Sequence, residues 1–107
     1  MDKNSYQGTY RGEHHRIWID EWEDCQIGDY WWFIDKDGDR RHLVTVLLDP
    51  NNGPELLMWE VEKGSKIPES SKVWGWDGNK EKPTLQPSLN WINYWHGYMT
   101  DGRLQSV

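Results

Sequence analysis

Apolar residues in this chain come in short runs, broken every few positions by Gly, Pro, Asn or Asp, and within the runs they alternate instead of following a helical period. Tyr6–Tyr10 and Arg16–Asp20 read as extended segments, the second with Ile17 and Ile19 on one face and Trp18 on the other. Asp29–Ile34 carries Tyr30, Trp31 and Trp32 in succession. Three adjacent aromatics leave an amphipathic helix no polar face, so they predict a strand buried on both sides. Asp35-Lys36-Asp37-Gly38-Asp39 is a hairpin turn, because Asp-Gly accepts positive φ at low cost. The return strand is His42–Leu48. A second turn over 49–54 leads to Glu55–Glu62, with Leu57, Trp59 and Val61 on one side, and Glu62–Lys72 is polar loop. A helix over Glu55–Lys63 would be stopped by Gly64 after barely two turns.

The last third predicts a short strand at Val73–Trp76, an extended connection through Pro83 and Pro87, and a strand near Leu89–Ile92. A hairpin then joins Trp95–Thr100 to Arg103–Val107 across Asp101-Gly102. Glu13–Glu23 is the best remaining helical segment, but strand is preferred there. Together these elements give a mainly β chain with little helix: one domain over residues 1–107, built as an antiparallel sheet, meander or sandwich.

Composition changes this picture in one respect. Only 36% of the residues are apolar, low enough to suggest disorder, yet nine Trp, five Tyr and one Phe supply the missing bulk. The net charge of −6, with no stripe of Lys or Arg, argues against non-specific nucleic-acid binding and favours a basic protein surface as partner. A lone Cys25, the absence of a signal-peptide core after Met1, and no membrane-length apolar stretch predict a cytoplasmic protein without membrane contact.

Candidate chemistry is sparse. G-x-S-x-G, G-x-x-x-x-G-K-[ST] and G-x-G-x-x-G are all missing. Cys25 follows Glu23 and Asp24, which disfavour a thiolate, so it reads as a small core residue. His14, His15 and His96 are weak zinc candidates, since adjacent histidines on a strand point to opposite faces. Asp35, Asp37 and Asp39 alternate as in calcium loops but lack the closing glutamate, which favours a turn. Trp74-Gly75-Trp76 sets two indoles on one face, as core or, if exposed together, as a stacking platform.

Trp74-Gly75-Trp76-Asp77-Gly78-Asn79, Lys82-Pro83-Thr84, Pro87-Ser88-Leu89, and His96-Gly97-Tyr98 leading to Thr100-Asp101-Gly102-Arg103-Leu104 occur in the order seen in one family. In them the C-terminal third resembles a family of small, uncharacterised bacteriophage and prophage proteins, often mislabelled ammonia monooxygenase. The resemblance implies a phage-type accessory protein. Many of its members carry Cys-x-x-Cys upstream, where this chain has Tyr10, Arg11 and Glu13, so no zinc site is carried over. Within the shared motifs, Ser88 reads as a turn cap.

Small size, acidic balance and missing signatures then point to a non-enzymatic protein without a cofactor. It would bind and inhibit a host defence protein in the host cytoplasm through an acidic, aromatic-rich surface. Trp74, Trp76, Asp77, Asn79, Trp95, His96 and Arg103 are the expected partner- or ligand-binding residues. Two alternatives stay open. One is a small-ligand binder that stacks a nucleotide or cyclic nucleotide on Trp74 and Trp76, with Arg16, Arg40, Arg41 or Arg103 on phosphate. The other is a metal-assisted hydrolase using His14 or His15 with His96.

Overall fold

The aromatic run is a strand covered on both faces. In the computed structural model, which describes residues 5–38, 40–49, 51–63, 73–86, 88–91 and 94–106, Tyr30, Trp31 and Trp32 are all essentially inaccessible. The strands are β1 (Ser5–Gln7), β2 (Tyr10–His14), β3 (Tyr30–Ile34), β4 (Arg41–Asp49), β5 (Gly53–Lys63), β6 (Trp74–Trp76), β7 (Leu85–Gln86), β8 (Leu89–Trp91), β9 (Trp95–Thr100) and β10 (Arg103–Ser106). They form two sheets, ordered β1-β10-β9-β8 and β2-β3-β4-β5-β6-β7. Neighbours are antiparallel except β2 with β3 and β5 with β6, which are parallel. The mainly β, little-helix fold read from the sequence is therefore the fold observed, with two parallel pairs added. No helix among the described residues is long and apolar enough to cross a membrane.

Alternation along β3 and β4 sorts two cores. Tyr30, Trp32, Leu43 and Leu47 face the smaller sheet and join Leu89, Met99 and Leu104 from it. Trp31, Val44 and Val46 face the other way, under Ile17, Ile19, Trp22 and Ile27. The 16–20 segment was expected to be a strand. It is instead a series of bends, because it serves as the cover over this second face and has no strand beside it. Its side chains keep the predicted alternation, with Ile19 buried and Trp18 exposed. The Trp31 indole donates to the carbonyl of Ile17 at 2.9 Å and ties the cover down. The only helical turn among the described residues is a 3-10 turn at Trp22–Asp24.

The Tyr6–Tyr10 run is split between sheets at Gly8. A Cβ there would sit 1.9 Å from the carbonyl oxygen of Gly28, so only glycine lets the chain cross. Asp29, buried beside that crossing, accepts from the Thr9 amide at 2.8 Å, the Gln26 amide at 3.1 Å and the Arg11 guanidinium at 2.8 Å. Of the expected 62–72 loop, Glu62 and Lys63 extend β5, and 64–72 lie outside the described residues, as do Pro87, Ile92 and Val107.

Residues 77–84 connect β6 to β7, and aromatic tips hold them from below. Trp76 donates to the Asn79 carbonyl at 3.0 Å, Trp32 to that of Lys80 at 2.9 Å, and the Tyr30 hydroxyl to that of Glu81. Asp77 Oδ1 caps the amides of Asn79 at 3.0 Å and Thr84 at 3.3 Å, while Asn79 Oδ1 receives those of Glu81 and Lys82. Glu13 on β2 pairs with Lys80 at 3.3 Å and with Arg41 at 2.8 Å. The Arg41 guanidinium in turn lies over the rings of Trp32 and Trp76, 5.2 and 5.1 Å from their centroids.

Trp31→Ala should cost about 3–5 kcal/mol in urea denaturation, whereas Leu48→Ala, at an exposed position, should stay within about 0.5 kcal/mol. Comparable costs for the two would contradict the second core. The Glu13 carboxyl is held below the usual glutamate range, first by its hydrogen bond from Arg41 and then by Lys80. With the folded value depressed, its stabilisation is complete above the unfolded value of about 4.3 and disappears as pH falls through the lower folded one. Glu13→Gln should thus lower stability by about 0.5–1 kcal/mol at neutral pH, and the gap should begin to narrow below about pH 4.3 and vanish at more acid pH. A pH-independent difference would rule out the ion pair as its source.

Candidate functional site

The hairpin of β8 and β9 pairs Leu89 with Gly97, Asn90 with His96 and Trp91 with Trp95. Inward positions Leu89, Gly97 and Met99 are buried, and outward positions Asn90, His96, Tyr98 and Thr100 are exposed. Ser88 lies two residues before Asn90, so its side chain emerges on the outward face, diagonal to His96. There Ser88 Oγ and His96 Nε2 are 2.8 Å apart. With the imidazole proton on Nδ1, the serine hydroxyl donates to Nε2, the arrangement in which a neutral histidine can take a proton from a hydroxyl nucleophile.

Two features fix this pair. The Trp74 indole donates to the Ser88 carbonyl at 3.1 Å and is itself wedged edge-on against Trp59, with centroids 5.3 Å apart. Ser88 is thereby tied across the core to β6 of the larger sheet. Beneath His96, a Cβ on Gly97 would lie 2.1 Å from the Gln105 carbonyl oxygen and 2.7 Å from the Trp95 ring. Glycine at that position lets Trp95 fold back under the hairpin and β10 come close.

The residues singled out from the sequence scatter over the fold. Trp74 and Trp76 share a face as expected, but it is the inner one: Trp76 is 8% exposed and packed at a 52° tilt on Trp32, with centroids 4.8 Å apart, and Trp74 packs on the same core. They do not form an open platform. Asp77 and Asn79 cap the 77–84 connection, and Trp95 is packed inward with its indole nitrogen buried and unpartnered. His96 and Arg103 both reach the outward face of the smaller sheet. His14 bonds the Arg11 carbonyl and His15 that of Ile34, both on the larger sheet, so neither joins His96. Among the described residues no three His, Cys, Asp or Glu side chains cluster as metal ligands. Burial pushes the Cys25 thiol up, in line with a packing role.

The residue that sequence reasoning passed over as a candidate is Ser88. Its signal was present: Ser88 and His96 are separated by a short hairpin, and the alternation that puts Leu89 and Gly97 inside puts both of them outside. Finding the pair needs the register, which no local motif encodes.

The model of the bacterial ubiquitination-like system serine protease (BubE) family matches residues 29–107, a stretch running from just before β3 through β10 and including Ser88 and His96. No curated protein and no solved structure matches the chain. The family match overturns the expectation of a non-enzymatic protein that inhibits a host protein. The missing G-x-S-x-G did not exclude a serine protease, because that motif marks a serine on a strand-to-helix elbow, one of several unrelated settings for such a residue.

Proposed function

Because the chain belongs to the bacterial ubiquitination-like system serine protease (BubE) family, we propose that it is a serine peptidase with Ser88 as nucleophile and His96 as general base. The 2.8 Å contact between Ser88 Oγ and His96 Nε2 carries the reading. Ser88 Oγ attacks the scissile carbonyl carbon while its proton passes to Nε2. The tetrahedral adduct collapses as Nε2 protonates the departing amine, leaving the acyl group as an ester on Ser88. Water, deprotonated by His96, then cleaves the ester and restores the hydroxyl. Asn90 is paired with His96 on the same face and two residues from Ser88, where its side-chain amide can donate to the oxyanion.

The exposed face suits a folded polypeptide substrate better than a small buried one, since Asn90, His96, Tyr98 and Thr100 are all open to solvent. The family's place in a ubiquitination-like system makes a ubiquitin-like protein, or its conjugate, the fitting substrate class.

A fluorophosphonate probe should label the protein once, on the peptide containing Ser88, and Ser88→Ala and His96→Ala should each reduce cleavage of a ubiquitin-like substrate by at least about 10³-fold. Labelling confined to another serine, or full activity in either variant, would overturn the assignment. Trp74→Phe keeps a ring in the core but removes the donor to the Ser88 carbonyl. It should lower kcat about tenfold with KM unchanged. An unaltered kcat would reduce Trp74 to packing.

A further inference from the structure

The outward face that carries His96 continues along β9 into a groove of about 700 Å³. It is lined by Tyr98 and Thr100 on β9, Arg103 and Gln105 on β10, and by Gln7 and Lys82. The strand register joins this groove to the nucleophile. Tyr98 is paired with Gln105 on one side, and extending the β8 register by one residue brings Ser88 alongside it on the other. Tyr98, exposed to 46%, is thus the shared boundary of dyad and groove. From Ser88 to Arg103 is two strand spacings across and two residues along, about 12 Å, or some three to four residues of extended polypeptide.

The charge of the groove departs from that of the molecule. The chain carries −6 overall, yet Lys82 and Arg103 face this space against a single carboxylate, Asp101. Among the described residues neither cation is ion-paired, and Arg103 donates instead to the neutral Ser5 hydroxyl at 3.1 Å. Elsewhere Arg11 is committed to Asp29, Arg16 to Asp20, and Arg41 and Lys80 to Glu13, while Lys36, Arg40 and Lys63, which also lack an ion pair among the described residues, do not line this groove. A guanidinium left without a carboxylate, opening on a groove that adjoins the nucleophile, is complementary to a carboxylate brought by the substrate.

We propose that the groove is a substrate subsite that takes an acidic side chain of the polypeptide, within about four residues of the scissile bond, with Arg103 as its principal contact and Lys82 as its second. The proposal rests on Ser88 being the nucleophile, but binding can be read without turnover. The probe is a set of short fluorescein-labelled peptides, acidic, neutral or basic, each with a free or an amidated C-terminus, titrated against the full-length Ser88→Ala protein by fluorescence polarisation. Acidic peptides should bind roughly threefold to tenfold more tightly than neutral ones, whether amidated or not, and the preference should weaken with salt.

Arg103→Gln in the Ser88→Ala background should abolish most of that preference, and Lys82→Gln should reduce it, with thermal unfolding confirming that both variants are folded. Equal affinity for all peptides overturns the proposal. So does a preference that Arg103→Gln leaves intact, or one seen only with a free C-terminus, which would assign the site to a terminal carboxylate. Loss of the proposed peptidase chemistry would appear instead as no fluorophosphonate labelling at Ser88, with peptide binding unaffected.

Discussion

The buried indoles of this fold each have a polar edge, and satisfying those edges organises everything else. An indole nitrogen sealed in an apolar core without a partner costs free energy, so a Trp-rich core gains by bringing acceptors to its rings, and Trp95, buried without one, is the exception here. Here the acceptors are mostly main-chain carbonyls of segments outside the central strands. Trp31 reaches Ile17, Trp32 reaches Lys80, Trp76 reaches Asn79 and Trp74 reaches Ser88. The same side chains that replace aliphatic volume also pin the cover segment, the 77–84 connection and the start of β8. Packing and loop placement, often carried by different residues, are one set of contacts here.

That arrangement explains how Ser88 can be held firmly on a half-exposed position. The hairpin alone spans three residues of β8 and would define the serine loosely. Its carbonyl is anchored to Trp74, which is wedged against Trp59, whose own indole donates to Thr45 Oγ1 in the centre of β4. The position of the hydroxyl is therefore referred to the most buried part of the larger sheet. On the opposite side of the larger sheet's network, the Arg41 guanidinium between Trp32 and Trp76 and the Glu13 carboxylate beyond it close the edge of the same aromatic core.

Much of the fold was legible because period-two alternation and Asp-Gly turns are local signals. The strand with two buried faces followed from three adjacent rings, and both Asp-Gly hairpins fall where those pairs predict them. What alternation cannot say is whether an extended segment has a neighbour. Arg16–Asp20 alternates like a strand yet lies as cover, and Tyr6–Tyr10 divides between sheets because of a contact with Gly28 distant in sequence. The site was less legible for the same reason. His96 was singled out, but its partner was seen as a turn residue, since only cross-strand register unites them. Trp74 was picked out for its surface and matters through its nitrogen.

Ser88 and His96 come from one short hairpin, so their meeting closes a small loop and depends on few residues. Such a pair belongs to a local cooperative unit at the margin of the smaller sheet, where β8 is the outermost strand. Fraying of that margin separates hydroxyl from imidazole and draws Leu89 out of the inter-sheet core, while the second core under Ile17 and Ile19 stays closed. On warming, the contact between the two side chains would go together with the packing of Trp91 at the end of β8, ahead of the indoles at the centre of the larger sheet.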